Sequence, residues 1–184
     1  MCLRVISGKA RGLNLDSLPG LSTRPTLDKV KQAIFNMLFD KTYDAIVLDL
    51  FAGSGAMGIE SLSRGASSCT FVDCEKDAVD IVSKNISKAK FDTQSIVVKS
   101  DYISFLKSCN QKFDIVFVDP PYDSDYAVYS LKLLYDNNLL CDDSVVVVES
   151  AKDKVPEFPY MYNVSRQKFY GIVCVSLLEA KWKK

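Results

Sequence analysis

Residues 46–58 read I-V-L-D-L-F-A-G-S-G-A-M-G, and this stretch decides the fold. Its apolar start, Ile46–Phe51, predicts a buried strand. The next glycines form a G-x-G-x-x-G pattern, and Ala56–Arg64 has the composition of a helix. Glycines at this spacing let the chain turn tightly and let a ligand lie against bare backbone near the helix N-terminus. The stretch therefore predicts a strand–turn–helix unit with a ligand site at its turn.

The rest of the chain beyond about residue 44 repeats this alternation of short apolar runs and helical patterns. Further strands are predicted at Cys69–Asp73, Ser95–Lys99, Phe113–Asp119 and Val145–Glu149. Helical spacing of apolar residues lies between them, at Asp77–Lys90 and Tyr126–Tyr135. Near the end, Met161–Arg166 and Gly171–Leu177 are typical of an antiparallel pair. These patterns predict an α/β fold, a mostly parallel sheet with an antiparallel edge, flanked by helices.

The first 40 residues differ from this alternation. Leu3–Ile6 is a candidate short strand, and several glycines and prolines interrupt the chain after it. Thr26 or Asp28 is a candidate cap for a helix whose apolar face carries Val30, Ile34, Met37 and Leu38. The segment is too short to fold alone, so we expect residues 1–40 to be an extension packed on a single domain of residues 41–184.

Length and composition limit the class of protein. A chain of 184 residues suits one domain with a sizeable core. No apolar run approaches the roughly 20 residues of a membrane helix, and the first 12 residues lack the apolar stretch of a signal peptide. We therefore expect a cytoplasmic protein without membrane contact.

The titratable residues limit the chemistry. Histidine is absent, which removes the commonest general base, and the six cysteines contain no C-x-x-C pair. We expect no metal site, and we interpret the cysteines as small core residues in a reducing compartment. Carboxylates, backbone groups, hydroxyls or an organic cofactor must supply whatever chemistry occurs.

Charge is unevenly distributed although the net charge is zero. Residues 1–41 hold seven Lys/Arg against three Asp/Glu, and residues 160–184 hold five against one. The segment between them holds eleven against nineteen. Basic ends around an acidic centre favour a polyanion bound by the termini, although solvated surface charge explains the pattern equally well.

Three carboxylates are placed to bind a ligand at the glycine turn. Asp73 ends the second strand, where a carboxylate can accept both hydroxyls of a ribose, and Glu75 is its competitor. Asp49 would repel a pyrophosphate but suits a ligand with ammonium and sulfonium charges; its alternative role is to bind loop amides. Asp101 can reach adenine or ribose and can also cap the helix predicted at Tyr102–Ser108. S-adenosylmethionine fits these charges best, and its candidate ligands are Asp49, Phe51, Ala52, Gly53, Ser54, Gly55, Asp73 and Asp101.

The candidate catalytic motif is Asp119-Pro120-Pro121-Tyr122, directly after the fourth strand. Two prolines stiffen the loop, so that the Asp119 carboxylate and the Pro120 carbonyl can accept both N–H bonds of an exocyclic amine on a base. This directs the nitrogen lone pair at a sulfonium methyl, which is catalysis by alignment. Tyr122 would stack on the base. The alternative is a strand-terminating turn without catalytic function.

Nearly the whole chain resembles the RsmD-type family of 16S ribosomal RNA guanine-N2 methyltransferases. The resemblance rests on R-V-I-S-G-K-A-R-G (Arg4–Gly12), R-P-T (Arg24–Thr26), the following helix through Phe35-Asn36, the stretch Leu48–Ala66, F-D-I-V-F-V-D-P-P-Y (Phe113–Tyr122) and V-E-S (Val148–Ser150). It implies a class I, Rossmann-like methyltransferase fold, S-adenosylmethionine as donor, and a guanine of the small-subunit RNA as target. The family usually has glutamate at Asp73 and often arginine at Lys29 and Lys31, so bidentate phosphate contacts at these two lysines are in doubt.

The resemblance also implies which residues contact RNA. Arg4, Lys9, Arg11 and Arg24 become phosphate-contact candidates, and Thr26 a loop residue near the substrate. A solvated surface charge is the alternative at each of these basic positions. The implied partner is 16S ribosomal RNA or the small ribosomal subunit, and we expect a monomer.

Three other functions fit parts of the sequence. A DNA adenine-N6 methyltransferase uses the same D-P-P-Y logic, but 184 residues leave little room for a target-recognition region. An NAD-dependent oxidoreductase would use the glycine turn and leave Asp119–Tyr122 without a role. A non-catalytic RNA-binding module would keep the fold, but the intact motifs argue against it.

Overall fold

The computed structural model describes residues 3–17, 25–121 and 125–181, without the side chains of residues 25–27. The helices are α1 (Pro25–Leu38), α2 (Ala56–Ser63), α3 (Lys76–Ala89), α4 (Tyr102–Ser108) and α5 (Tyr126–Asp136). The strands are β1 (Ile46–Asp49), β2 (Ser68–Asp73), β3 (Ser95–Lys99), β4 (Phe113–Val118), β5 (Leu140–Ala151), β6 (Tyr162–Tyr170) and β7 (Val173–Ala180). Short 3-10 turns lie at Phe39–Thr42 and Asp92–Gln94.

The strands form one sheet in the order β3-β2-β1-β4-β5-β7-β6. Strands β1 to β5 are parallel, whereas β7 runs antiparallel to both of its neighbours. The predicted α/β sheet with an antiparallel edge is therefore confirmed. The chain order reverses at β1, which has β2 on one side and β4 on the other. In open α/β sheets, ligands bind at the carboxyl ends of the strands beside such a reversal.

Helices cover both faces of the sheet, which explains why its parallel strands have continuous apolar runs. Val47 and Ile115 are fully buried on the face covered by α1, α2 and α3. Leu48 and Val116, the next residues along the same strands, are fully buried on the face covered by α4 and α5. Each central strand thus contributes side chains to two apolar layers. Because both faces of the sheet are covered, a ligand can bind only at the strand ends.

The N-terminal segment packs on the first of these layers. Val5 and Leu15 are each 1% exposed and belong to its core. The strand predicted at Leu3–Ile6 is wrong, because the structure has only an isolated antiparallel bridge there, between Arg4 and Asn14. Buried side chains and hydrogen bonds to α2 and α3, rather than sheet pairing, hold the segment to the domain.

Helix α1 begins one residue before the first predicted cap. Because the helix starts at Pro25, Thr26 and Asp28 lie inside its first turn and do not cap it. Proline is favoured at the first helical position, where its missing N–H has no partner to lose. The buried face consists of Val30, Lys31, Ile34, Phe35 and Leu38.

Other expectations hold in part. Strand β5 begins at Leu140, five residues before the predicted start. The prediction missed these residues because exposed Asp142 and Asp143 interrupt the apolar pattern. The described cysteines are free, but only Cys69 and Cys174 are buried, so the assignment of all cysteines to the core is wrong. Among the described residues, no helix has the length and apolar character needed to cross a membrane.

Candidate active site

The glycine turn leaves an open backbone face at the end of β1. Gly53 and Gly55 have positive φ angles of 54° and 75°, a region that L side chains rarely adopt. The Gly55 amide donates to the Ala52 carbonyl at 2.7 Å, which closes the turn. A Cβ at Gly53 would meet no heavy atom within 4 Å. The turn therefore offers uncovered backbone beside the start of α2.

The third glycine has a packing role. A Cβ at Gly58 would lie 2.2 Å from the Phe71 ring and 2.6 Å from the Cys69 sulfur. Because both residues belong to β2, only glycine lets α2 approach this strand so closely. Gly58 also donates its amide to Asp49 Oδ2 at 2.9 Å.

Asp49 is the buried carboxylate of the site. It is 4% exposed at the end of β1. Burial raises the pKa of its carboxyl to about 7; the Gly58 amide opposes this shift and the neighbouring Asp73 adds to it. The expected alternative role was to bind loop amides, whereas the amide bound by Asp49 belongs to the first turn of α2. A buried carboxyl whose ionised form is disfavoured also suits a bound cation, which would stabilise that form. Both roles remain compatible with the geometry.

Asp73 is held against the glycine turn. Its Oδ2 accepts the Gly53 amide at 2.8 Å and its Oδ1 accepts the Glu75 amide at 3.0 Å. Each carboxylate oxygen has two lone pairs, so the half-buried Asp73 can still accept ligand hydroxyls. Glu75 is exposed, and its carboxylate contacts the Cys74 thiol. The direct bond to the turn favours Asp73 as the ribose ligand.

The glycine turn has a second anchor that sequence reasoning missed. Asn85 of α3 is fully buried and donates to the Ser54 carbonyl and the Asp16 carbonyl, each at 2.9 Å. Its own carbonyl accepts the Asp16 amide at 2.8 Å. One side chain thus joins the turn, α3 and the N-terminal segment. An asparagine in a helix carries no sequence signal for such a role.

Asp101 caps α4, which was one of the two roles predicted for it. Its Oδ1 accepts the Ser104 amide at 2.9 Å, and this bond lowers the pKa of the exposed carboxyl. The capping bond leaves the second oxygen, Oδ2, as the atom that could serve a ligand role.

An aromatic cluster of Phe51, Tyr102 and Tyr126 lies beside this cap. The ring centroids are 5.4 Å apart for Phe51 and Tyr102 and 5.1 Å apart for Tyr102 and Tyr126. Phe51 follows β1, Tyr102 follows β3, and Tyr126 follows β4, so all three reach the carboxyl edge. Only Phe51 was among the sequence candidates. The tyrosines were missed because each opens a helix, and nothing local indicates that the helices meet.

The catalytic candidates follow β4 at the same edge. The Leu50 amide donates to the Phe117 carbonyl at 3.1 Å, so the chain after β1 runs beside the end of β4. Asp119 is exposed, Pro120 is buried and Pro121 is exposed. The glycine turn and the first three residues of the motif therefore lie on adjacent strand ends, as predicted. Tyr122 lies outside the described residues.

Two other carboxylates influence Asp119. Although the residue is exposed, protein atoms surround the end of β4, and this desolvation raises the pKa of the Asp119 carboxyl well above its usual range. Glu149 and then Asp49 raise it further by like-charge repulsion. Glu149 is next to Asp119 because Val118 of β4 pairs with Val148 of β5. Sequence patterns alone assigned no role to Glu149, since strand register is needed to bring the two together.

Comparison with known proteins identifies the family. The sequence profile of the family described as "Conserved hypothetical protein 95" matches residues 3–179. "Ribosomal RNA small subunit methyltransferase D" of Haemophilus influenzae is 36% identical over 96% of this chain and 93% of its own. The protein of the same name from Escherichia coli K12 is 37% identical over 96% of this chain and 89% of its own. The chain belongs to this methyltransferase D family.

Solved structures agree with this assignment. The Escherichia coli protein yhhF has a TM-score of 0.88 at 32% identity, with 100% of both chains covered. The sheet order and the full-length match place this chain in the class I, Rossmann-like methyltransferase fold, as the resemblance implied. The methyltransferase D family is the RsmD-type family that the sequence motifs resemble.

The basic residues that were expected to contact RNA lie apart from the candidate catalytic loop. The Lys9 amide donates to the carbonyl of Ser63, the last residue of α2, at 2.8 Å. Eight helical residues span about 12 Å, so Lys9 and exposed Arg11 lie at the far end of α2 from the glycine turn. Arg24 and the Thr26 side chain lie outside the described residues.

Two further basic residues of this region have partners within the protein. The Arg4 guanidinium pairs with Asp28 at 3.0 Å while remaining 58% exposed. Lys31 is buried and pairs with Glu60, which rules out a phosphate contact by this lysine in the present arrangement.

Proposed function

We propose that this chain transfers a methyl group from S-adenosylmethionine to the exocyclic N2 amine of a guanine in small-subunit ribosomal RNA. The observation that carries the proposal is the adjacency of the open glycine turn after β1 and Asp119-Pro120-Pro121 after β4. The names of the relatives from Haemophilus influenzae and Escherichia coli support the substrate class.

The residues at the end of β1 fit the cofactor. The space above Gly53 can take a ligand, since a Cβ there would touch nothing. Asp73, fixed by the Gly53 amide, is the acceptor for ribose hydroxyls, and Asp101 is available toward the adenine. Asp49 would face the ammonium and sulfonium charges, which stabilise its ionised form. When bound, the cofactor supplies an electrophilic methyl group on sulfur.

The loop after β4 orients the amine. The lone pair of an exocyclic guanine amine is delocalised into the ring, which makes the nitrogen a poor nucleophile. In this proposal its two N–H groups donate to the Asp119 carboxylate and the Pro120 carbonyl, so the lone pair turns toward the methyl group. The Pro120 ring fixes φ of this residue, and Pro121 after it restricts ψ and so the direction of the Pro120 carbonyl. Tyr122 stacks on the base.

Asp119 also has the properties of a proton acceptor. The amine must lose a proton after it gains a methyl group. A carboxylate whose pKa is raised by desolvation and by the charges of Glu149 and Asp49 takes that proton more readily than an ordinary aspartate does. Repulsion among the three carboxylates therefore favours transfer of the amine proton to a carboxylate oxygen of Asp119.

The finer points of the proposal concern setting and partners. We propose that the enzyme works as a cytoplasmic monomer on 16S ribosomal RNA or on the small subunit. Arg4, Lys9, Arg11, Arg24 and Thr26 are the proposed RNA contacts of the N-terminal extension. The separation of Lys9 and Arg11 from Asp119 suits contacts to RNA several nucleotides from the target base.

The experiment that tests the function is methylation mapping. Small-subunit RNA from cells with and without the gene is compared for N2-methylguanine, and purified protein is given labelled S-adenosylmethionine with RNA or duplex DNA. We expect one guanine to lose its methyl group in the deletion and RNA alone to be labelled. Label in adenine of duplex DNA would contradict the proposal in favour of an adenine-N6 methyltransferase.

A further inference from the structure

The hairpin joining β6 and β7 reaches the same edge of the sheet as the catalytic loop. Strand β5 runs parallel to β4 and ends at Ala151, and Ala151 pairs with Val173 at the start of β7. Tyr170, the last residue of β6, pairs with that same Val173. The hairpin turn therefore stands at the carboxyl edge, on the side of β4 away from β1.

Large apolar side chains are exposed at this turn. Phe169 is 51% exposed and Ile172 is 64% exposed. Lys152 lies between them: its amide donates to the Ile172 carbonyl at 2.8 Å, and its ammonium is 6.0 Å from the centre of the Phe169 ring. Lys168 is also exposed but projects from the opposite face of β6, so one ligand contacts both lysines by crossing the free edge of this outermost strand. We call Lys152, Lys168, Phe169 and Ile172 the hairpin patch.

The chemistry of the hairpin patch matches single-stranded RNA. Lysines attract phosphates, and exposed aromatic rings stack on unpaired bases of any sequence. The neighbouring Asp153 is exposed and acidic, but Arg166 adds a further exposed positive charge on β6. A protein partner held by apolar contacts would be expected to favour fewer charges at the centre of its site.

The hairpin patch lies within a few nucleotides' length of the proposed reaction site. From β4 to β6 there are three strand steps in the sheet order, about 14 Å at about 4.8 Å per step. That is the rise of about four stacked nucleotides at 3.4 Å each. RNA with its target base at Asp119 can therefore reach the hairpin patch within a few nucleotides.

We propose that the hairpin patch binds the unpaired RNA that flanks the target guanine. This inference rests on the proposed function, because it takes the strand held at Asp119 to be RNA. It assigns substrate binding to the C-terminal hairpin, a region separate from the basic N-terminal segment.

The test compares patch variants with matched controls in the full-length protein. Phe169→Ala is paired with Tyr160→Ala, a residue 85% exposed that precedes β6 at the opposite edge. The double variant Lys152→Ala/Lys168→Ala is paired with Lys107→Ala, an exposed lysine in the last turn of α4. The probe is transcribed small-subunit ribosomal RNA, and its Kd is measured over a salt series together with binding of S-adenosylhomocysteine.

We expect Phe169→Ala to raise the RNA Kd about tenfold, because it removes one stacking platform. The lysine double variant should make the slope of log K against log salt shallower by about 1.4, since each phosphate contact on a single strand contributes about 0.7. Both variants should bind S-adenosylhomocysteine like the wild type and keep the wild-type single-turnover rate at saturating RNA. The control variants should leave Kd and slope unchanged.

Two results have separate meanings. If the wild type methylates the RNA while both patch variants bind it with wild-type Kd and salt slope, the patch is not an RNA surface. If the wild type transfers no methyl group to free RNA or to small ribosomal subunits, the proposed function fails, and the binding series still decides whether the patch holds RNA.

Discussion

The carboxylate of Glu60 lies 3.4 Å from the ammonium of Lys31, and both side chains are buried, at 0% and 5% exposure. The same carboxylate accepts the Ile6 amide at 2.7 Å and the Ser7 amide at 3.0 Å, while Arg64 donates to it at 2.8 Å. Burial lowers the pKa of Lys31, and Glu60 opposes that shift. One residue of α2 thus ties α1 and the N-terminal segment to the domain.

Replacing Glu60 by glutamine should destabilise the fold strongly. The change leaves the Lys31 ammonium buried without its counter-charge, which costs about 3–5 kcal/mol in comparable pairs. Urea unfolding measures the free energy of unfolding. The double variant Lys31→Met/Glu60→Gln should recover much of the loss, because it removes both charges.

The exposed pair Lys76–Asp80 supplies the matched control. Its side chains are 70% and 58% exposed, and surface pairs contribute at most about 1 kcal/mol. Asp80→Asn should therefore change the free energy of unfolding little. If Glu60→Gln costs no more than Asp80→Asn, the buried pair does not hold the N-terminal segment in place.

The two ends of the glycine pattern should respond differently to alanine. Gly53→Ala should cost about 1–3 kcal/mol of stability through its positive φ, and it alone should weaken S-adenosylmethionine binding at least tenfold, because the added methyl group enters the open space above the turn. Gly58→Ala should lower stability by about 1–3 kcal/mol through overpacking against Phe71. Calorimetry with S-adenosylhomocysteine and urea unfolding separate the two effects.

For the wild type, we expect micromolar binding of S-adenosylmethionine and no binding of NAD. Heat from NAD together with none from S-adenosylhomocysteine would overturn the cofactor assignment. A Gly53→Ala variant that binds as tightly as the wild type would remove the glycine turn from the site.

The parallel part of the fold could be predicted because strands buried on both faces have continuous apolar runs. Ile46–Phe51 and Phe113–Asp119 are of this kind, and both predicted strands match the structure within two residues. The edge was harder, since β6 exposes nearly every residue and has no alternating pattern. Glu60 could not be found at all, because a glutamate in a helix is normally exposed.

Binding of the cofactor should depend on pH through Asp49. Its pKa of about 7 in the free protein means that below neutrality a proton must leave before the carboxylate can face a cation. The Kd for S-adenosylmethionine should then rise toward tenfold for each pH unit below 7. Calorimetry from pH 5 to 8 measures this, and Asp49→Asn should bind weakly with a flat profile. A wild-type profile as flat as that of the variant would mean that Asp49 does not titrate with binding.

The same group affects stability in the free protein. The folded-state pKa lies above the ordinary value of 3.8, so the folded chain binds more protons than the unfolded chain between these values. The contribution of Asp49 to the free energy of unfolding therefore falls as pH rises from about 4 to 7. Asp49→Asn, which keeps an oxygen for the Gly58 amide, should remove that part of the pH dependence in urea unfolding.

Sequence motifs indicated a candidate site, but they did not reveal how its parts contact one another. The glycine turn, Asp73 and Asp119 are local signals, each directly after an apolar run. Glu149 acquires its position only from the pairing of β4 with β5, and Tyr102 and Tyr126 meet only because α4 packs on α5. Such contacts depend on register and helix packing, which single-sequence patterns do not encode.

The last prediction separates catalysis from binding at Asp119 and Tyr122. Asp119→Ala should lower the single-turnover rate about a hundredfold, since a charged hydrogen bond worth about 3 kcal/mol is lost as the reaction proceeds. S-adenosylhomocysteine binding should change little. In the wild type, the rate should fall as pH is lowered through the raised pKa of Asp119, because a protonated carboxyl is a poorer acceptor of the N–H hydrogen bond from the amine.

Tyr122 should act through its ring. Tyr122→Ala should lose about 1–3 kcal/mol of stacking and so weaken RNA binding as well as the rate, whereas Tyr122→Phe should keep both. Single-turnover methylation and cofactor binding are measured on variants shown to be folded. An Asp119→Ala protein that methylates RNA at the wild-type rate would exclude the amine-orienting mechanism even with S-adenosylmethionine bound, because alignment by this carboxylate is the step from which the rate is expected to come.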